Sequence, residues 1–144
     1  MKRTKLILSF IALVLTVMVF VQACKKDKQV QLPGTHSIGL GEKIQISVNG
    51  NTVTLTASNF NDSRCPINAL CVWEGVATGS FTFKDSSKEQ TVELCLGACE
   101  VVSKPKKQII ILNETNYTVE LTEFTPYPGT TKENIKATIV LTKM

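Results

Sequence analysis

The sequence predicts an all-β fold, and three observations carry that prediction. From Ile44 onward, apolar residues recur with a period of two, the spacing of half-buried strands. Turn-forming clusters, above all Asn49-Gly50 and Asp85-Ser86-Ser87-Lys88, separate these runs at short intervals. Nowhere does a helical period of 3.6 residues persist, and no internal repeat is visible. With 144 residues in all, the chain has room for one domain of ordinary size with a single core.

Read in order, the chain opens with a leader. Met1 to Lys5 is a short basic head, and Leu6 to Val21 is an apolar run broken only by Ser9 and Thr16. As a helix that run reaches only ~24 Å, short of the ~30 Å hydrocarbon core, so it fits the apolar part of a signal peptide better than a permanent membrane anchor. Val21-Gln22-Ala23-Cys24 decides between the two. It resembles the lipobox of bacterial lipoproteins, in which an apolar residue at −3 and a small one at −1 precede a Cys that becomes the first mature residue. Gln22 stands where a small residue is more usual. The resemblance implies removal of residues 1–23, a diacylglyceryl thioether on Cys24 and acylation of its amino group. Two or three acyl chains on one residue hold a protein at a membrane where a single chain is marginal.

Residues 24–40 are then expected to be a lipidated flexible tether. They are polar, lack a sustained period, and carry Pro33, Gly34 and the only His of the chain, His36. A Ser-His or Cys-His catalytic arrangement would have to borrow His36 from this tether, and none is assigned. Lys25-Lys26-Asp27-Lys28 is similar to the charged start of lipoproteins in some Gram-negative bacteria, where a Lys/acidic signal can direct the protein to the cell surface. Only Asp27 supplies the acidic part here. The expected location is the bacterial cell envelope, lipid-anchored at the outer membrane on its periplasmic or surface-exposed face.

Residues 41–144 carry the strand pattern. Ile44, Ile46 and Val48 alternate with polar residues up to Asn49-Gly50, and Val53, Leu55 and Ala57 alternate beyond it. Folding about Asn49-Gly50 pairs Val48 with Asn51, Ile46 with Val53 and Ile44 with Leu55, which puts both apolar sets on one face. A second hairpin follows. Cys71, Trp73, Gly75, Ala77, Gly79, Phe81 and Phe83 share the parity assigned to the core, with Gly75 and Gly79 marking a bulge or a close backbone approach. Val92, Leu94 and Leu96 return opposite them after the turn at 85–88. Ile109-Ile110-Ile111-Leu112 reads as a strand buried on both faces. Tyr117, Val119 and Leu121, the rigid loop Pro126-Tyr127-Pro128-Gly129, and Ile135, Ala137, Ile139 and Leu141 complete the chain. About seven antiparallel strands of this kind suggest an immunoglobulin-like β-sandwich, with a small closed β-barrel as the alternative. The Cys…Trp…Cys order of antibody-type domains is absent, because Cys65 and Cys71 both precede Trp73.

Five Cys become four once Cys24 carries lipid, and an even set in an exported chain reads as two disulfides. Zinc competes for the same four thiols, but Cys-x5-Cys and Cys-x3-Cys are not the usual Cys-x2-Cys spacing, and no metal or other cofactor is expected. Parity puts Cys71 and Cys95 on opposite faces. The local pairs Cys65–Cys71 and Cys95–Cys99 are therefore expected, each contributing roughly 2–2.5 kcal/mol in the chain-entropy model.

One stretch is denser in rare residues than any other. Residues 62–75 hold the only Trp, two Cys and the only Arg beyond the leader, Arg64. Asp62-Ser63-Arg64-Cys65-Pro66 followed by Cys71-Val72-Trp73-Glu74-Gly75 resembles the DSRCP…CxWxG signature of small uncharacterised bacterial lipoproteins and exported proteins. The resemblance spans roughly residues 40–144, brings no activity with it, and supports Cys65 and Cys71 as a pair. Structurally, Trp73 is expected to plug the core, and Arg64 to pair with Asp62 or Glu74. Functionally, Asp62, Arg64, Asn68 and Glu74 form a candidate recognition loop that a disulfide would stiffen, so that little entropy is lost on binding.

The function these readings support is a lipid-anchored envelope protein with no assignable catalytic activity, a binding or structural module. Its partners are the membrane through Cys24 and a protein or glycan. One alternative is an envelope inhibitor of a hydrolase presenting residues 62–71. Another is a carboxylate-dependent hydrolase, or a calcium site, built on Asp62 and Glu74. No phosphate-cradling Gly loop and no Gly-x-Ser-x-Gly elbow occurs. The formal charge of +4, less the three positive charges of the leader, leaves +1. The remaining Lys are interleaved with Glu, so no nucleic-acid partner is expected.

Overall fold

The computed structural model describes residues 30–31, 33–130 and 134–144. Cys24, and with it the lipidation site, lies outside the described residues, as does the leader. Strands follow one another as β1 (Val30–Gln31), β2 (Gly34–Gly39), β3 (Lys43–Val48), β4 (Asn51–Asp62), β5 (Val76–Lys84), β6 (Glu89–Gly97), β7 (Lys107–Leu112), β8 (Thr115–Thr125) and β9 (Lys136–Lys143), with a single 3-10 turn at Cys99–Val102. They form two sheets, ordered β1-β3-β4-β5-β6 and β2-β9-β8-β7. Every pairing is antiparallel except the two-residue β1, which runs parallel to β3. No ladder joins the sheets into a closed barrel; the fold is a β-sandwich.

Within each sheet most neighbours are consecutive in sequence: β3-β4-β5-β6 and β7-β8-β9 run as meanders, with β1 and β2 added at their edges from earlier in the chain. The alternation explains why. Each hairpin carries its own turn signal, so β3 to β6 and β7 to β9 find partners locally, whereas β2 pairs with the distant β9. Asn49 and Gly50 both take positive φ (51° and 82°), and the ladder they start pairs Val48 with Asn51, Ile46 with Val53 and Ile44 with Leu55 as expected. In the β5–β6 hairpin Phe81 faces Val92, Gly79 faces Leu94 and Ala77 faces Leu96. The core between the sheets is built from the expected positions Ile46, Val53, Leu55, Phe81, Phe83 and Leu94 of one sheet and Ile110, Tyr117, Leu121, Ile139 and Leu141 of the other, to which Phe124 adds a residue the sequence reading did not assign.

Asp85 joins the two sheets. Its Oδ1 accepts hydrogen bonds from the Ser87 and Lys88 amides, closing the β5–β6 turn, and its Oδ2 accepts one from the Asn113 amide in the β7–β8 turn. The Asn113 amide bond is the largest of the contributions that hold this carboxyl well below the usual carboxylate range.

Two expectations are corrected here. Residues 24–40 are not all tether: Gly34–Gly39 form β2, hydrogen-bonded along β9 from Gly34↔Leu141 to Gly39↔Lys136. His36 and Ile38 alternate with Thr35 and Ser37, and both face the core. The run is too short to show its period beside Pro33 and Gly34. The 109–112 strand is not buried on both faces either. Ile110 and Leu112 are buried, but Ile109 and Ile111 are exposed, because β7 is the edge of a two-layer sandwich and only one of its faces meets another sheet.

His36 is buried, and among the described residues neither ring nitrogen has a hydrogen-bond partner. Burial lowers its pKa, because the imidazolium would lose its hydration. Below about pH 6.5 the unfolded chain takes up a proton that the folded chain refuses, so stability is full above that pH and declines as pH falls. Urea unfolding across pH 7.5 to 5 is expected to show this decline in the native protein and a flatter profile in His36→Leu.

Candidate functional site

The 62–75 stretch connects β4 to β5 and continues their hairpin beyond the sheet. The Ser63 amide and hydroxyl both donate to the Val76 carbonyl, and the Cys65 amide donates to the Glu74 carbonyl at 2.8 Å. These rungs lead to the Cys65–Cys71 disulfide, whose Cα atoms are 5.9 Å apart. Gly75 makes the stem possible. It sits at φ 75°, and a Cβ there would lie 2.1 Å from the Ser63 carbonyl oxygen, so no other residue fits. The second disulfide, Cys95–Cys99, also forms as expected, and the Ala98 amide donates to the Gly75 carbonyl, setting the 3-10 turn against the stem.

Arg64 holds the loop from beneath. Its Nε donates to Asp62 Oδ1 at 2.8 Å and its Nη2 to Asp62 Oδ2 at 2.7 Å, a bidentate pair with both side chains at most one-tenth exposed. The same Nη2 donates to the Phe124 carbonyl at the end of β8, 2.7 Å away, and the guanidinium stacks 4.2 Å over the Tyr127 ring. The Ile67 amide donates to the Pro128 carbonyl. The loop of the first sheet is therefore fastened to the 126–129 loop of the second through a charge pair, a carbonyl, an aromatic face and a backbone bond. A cleft of about 420 Å³ opens alongside, lined by Asp62, Arg64, Pro66, Tyr127, Gly129 and Ile135 among others.

The four candidate recognition residues separate into two pairs. Asp62 and Arg64 are brought together and spent on each other; Asn68 and Glu74 are exposed on the loop. Arg64 is buried rather than held out on the loop as the recognition-loop expectation had it, with Nε and Nη2 bonded to its own carboxylate and to Phe124. Glu74 contributes its backbone carbonyl to the stem, while its side chain has no ion-pair partner among the described residues.

Trp73 is the second correction at this site. It is half exposed and does not plug the core. Two causes account for it. The positive φ of Gly75 breaks the strand alternation that placed Trp73 with Ala77 and Phe81, and residues 63–75 lie beyond the paired length of β4 and β5. What the sequence reading missed is the apolar tip. Ile67, Leu70, Val72 and Trp73 are all exposed, Leu70 at 105% and Val72 at 106% of the reference area. The available signal was four large apolar residues within seven positions of a segment fenced by two Cys and a Pro.

Among the described residues no group of three or more His, Cys, Asp or Glu could hold a metal ion. No protein-family model, curated protein or solved structure matches the chain.

Because both partners are buried, Arg64→Ala is expected to cost about 3–5 kcal/mol, since it leaves the Asp62 carboxylate without its counter-charge. Arg64→Met combined with Asp62→Leu is expected to cost less than Arg64→Ala alone. Urea unfolding of the three proteins checks both statements, and a larger loss in the double variant would show that the charges and hydrogen bonds of the pair supply net stability.

Proposed function

We propose that this chain is a lipid-anchored protein of the bacterial cell envelope that works as a binding module, with no catalytic chemistry of its own. The observation that supports the binding role best is the disulfide-closed loop. It is fastened at its base by Arg64 and exposes large apolar side chains at its tip. A loop so restrained loses little conformational entropy when a partner closes on it. Scattered exposed apolar residues are ordinary on a protein surface, but four in one short restrained loop mark an interaction site.

The anchoring rests on the sequence: the basic head, the apolar run and Val21-Gln22-Ala23-Cys24. Two disulfides agree with an oxidising compartment. A protruding tip also favours a second reading, an inhibitor that inserts residues 62–71 into the cleft of a hydrolase. The carboxylate-hydrolase reading has less behind it, because both Asp62 oxygens accept hydrogen bonds from Arg64 and the pair is at most one-tenth exposed.

Cys24→Ala is expected to abolish incorporation of labelled fatty acid and to move the protein from the membrane to the soluble fraction. Undiminished labelling of that variant contradicts the lipid-anchor reading.

A further inference from the structure

From the same loop we infer that Ile67, Leu70, Val72 and Trp73 form a plug for an apolar cleft on another protein, a cleft rimmed by basic side chains. The inference rests on the binding-module reading and gives it a partner of defined chemistry.

The shape comes first. Ile67 and Leu70 lie inside the Cys65–Cys71 loop and Val72 and Trp73 directly follow it, all of them exposed, so they are placed to fill a concavity on a partner. Its side chains stand away from the domain: Leu70 and Val72 are as exposed as in an isolated residue, and Trp73 is half exposed. Aromatic and aliphatic anchors on a rigid support are what the centres of protein interfaces use, because they bury area without ordering a floppy chain.

The charge around the tip comes next. Glu74 stands at its base, and Glu100 lies in the 3-10 turn that the Ala98–Gly75 hydrogen bond brings against the same stem. Both are exposed, and neither has an ion-pair partner among the described residues. The one Arg of the region is neutralised by Asp62. An apolar tip with an acidic collar suits a basic-rimmed cleft. It does not suit an anionic bilayer surface, which attracts Lys and Arg and repels carboxylates. Nor does it suit a second copy packed tip to tip, which would oppose acid to acid.

Position in the chain points the same way. Val30 pairs with Ile46, and Ile46 with Val53, close to the Asn49-Gly50 turn; the 62–75 loop leaves from the far end of β4. From Val53 to Asp62 is ~30 Å at ~3.3 Å per residue. The six steps from Cys24 to Val30 reach at most ~22 Å. For a chain anchored at Cys24, six residue steps are shorter than that span, so the domain cannot stand inverted with the tip at the bilayer.

The test uses the full chain, expressed with its leader, with the photoreactive residue p-benzoylphenylalanine in place of Leu70, of Val72, or of Ile109, an exposed apolar residue on β7 that serves as control. The inference expects one discrete protein adduct from positions 70 and 72, at least about fivefold stronger than from 109. The cross-linked peptide should be apolar and flanked by Lys or Arg. The adduct should fall several-fold when Glu74→Gln and Glu100→Gln are combined. Adducts with phospholipid, adducts with a second copy, or equal labelling from 109 each overturn it. Trp73, the only Trp of the chain, supplies a second readout. In phosphatidylethanolamine–phosphatidylglycerol vesicles with brominated acyl chains, the reconstituted protein should keep its Trp emission unquenched, and strong quenching overturns the inference in favour of the bilayer. Membrane fractionation of the same cells reports the anchor separately, so a soluble chain that still gives the adduct refutes the lipid anchor and leaves the plug standing.

Discussion

The bidentate pair between Arg64 and Asp62 is the interaction on which the distinctive end of this molecule depends. The two residues are separated only by Ser63, so the pair forms locally, but its consequence is long-range. With Asp62 fixing the guanidinium plane, the remaining reach of Nη2 meets the Phe124 carbonyl in β8 and the guanidinium face meets the Tyr127 ring in the loop that follows it. Lys could not substitute, because a point charge on a flexible stem lacks the planar fork that serves carboxylate, carbonyl and aromatic ring at once. Removing two charges from water is costly, and here the cost is offset by the bonds from Nε and Nη2 to Asp62 and Phe124, partners already in place. The pair defines geometry more than it adds stability.

Elsewhere the sandwich is joined by similar short devices. Asp85 gathers two amides of its own turn and one from the Asn113 turn, linking the sheets at the end opposite the disulfide loop. The two disulfides span only six and four positions, so they stiffen loops without tying distant strands. Topology makes this sufficient: β3 to β6 and β7 to β9 pair with their sequence neighbours, β2 is fixed by its ladder with β9, and what remains is to hold two sheets face to face. The apolar core does most of that, and the polar links set the register of the ends.

How much of this was legible follows from the range of each interaction. The Asn49-Gly50 register could be read because turn chemistry and period-two patterning act within a dozen residues. The all-β class, the core faces of β5, β6, β8 and β9, and both local disulfides follow from the same short-range logic. Where sequence reading failed, the deciding contact was distant or the local pattern was interrupted. His36 and Ile38 look like tether residues until β9 lies beside them, about a hundred positions away. Ile109 and Ile111 look buried until β7 proves to be an edge. Trp73 looks like a core residue because large aromatics usually are, but a left-handed Gly75 breaks the parity and the opposite sheet is not there to receive it. An Arg64–Asp62 pair could be anticipated from sequence; the Phe124 and Tyr127 contacts that turn Arg64 inward could not.

The central claim is that Arg64 holds the disulfide loop rigid, so that the apolar tip is presented in one geometry. Amide hydrogen exchange at Cys65 and Ile67 measures this most directly, since their N–H groups close the loop onto Glu74 and Pro128. Arg64→Lys keeps the charge but loses the fork. The account predicts exchange at Cys65 and Ile67 accelerated by about tenfold or more in that variant, with the Phe81 amide in β5 unchanged. Unchanged exchange at Cys65 and Ile67 would contradict it.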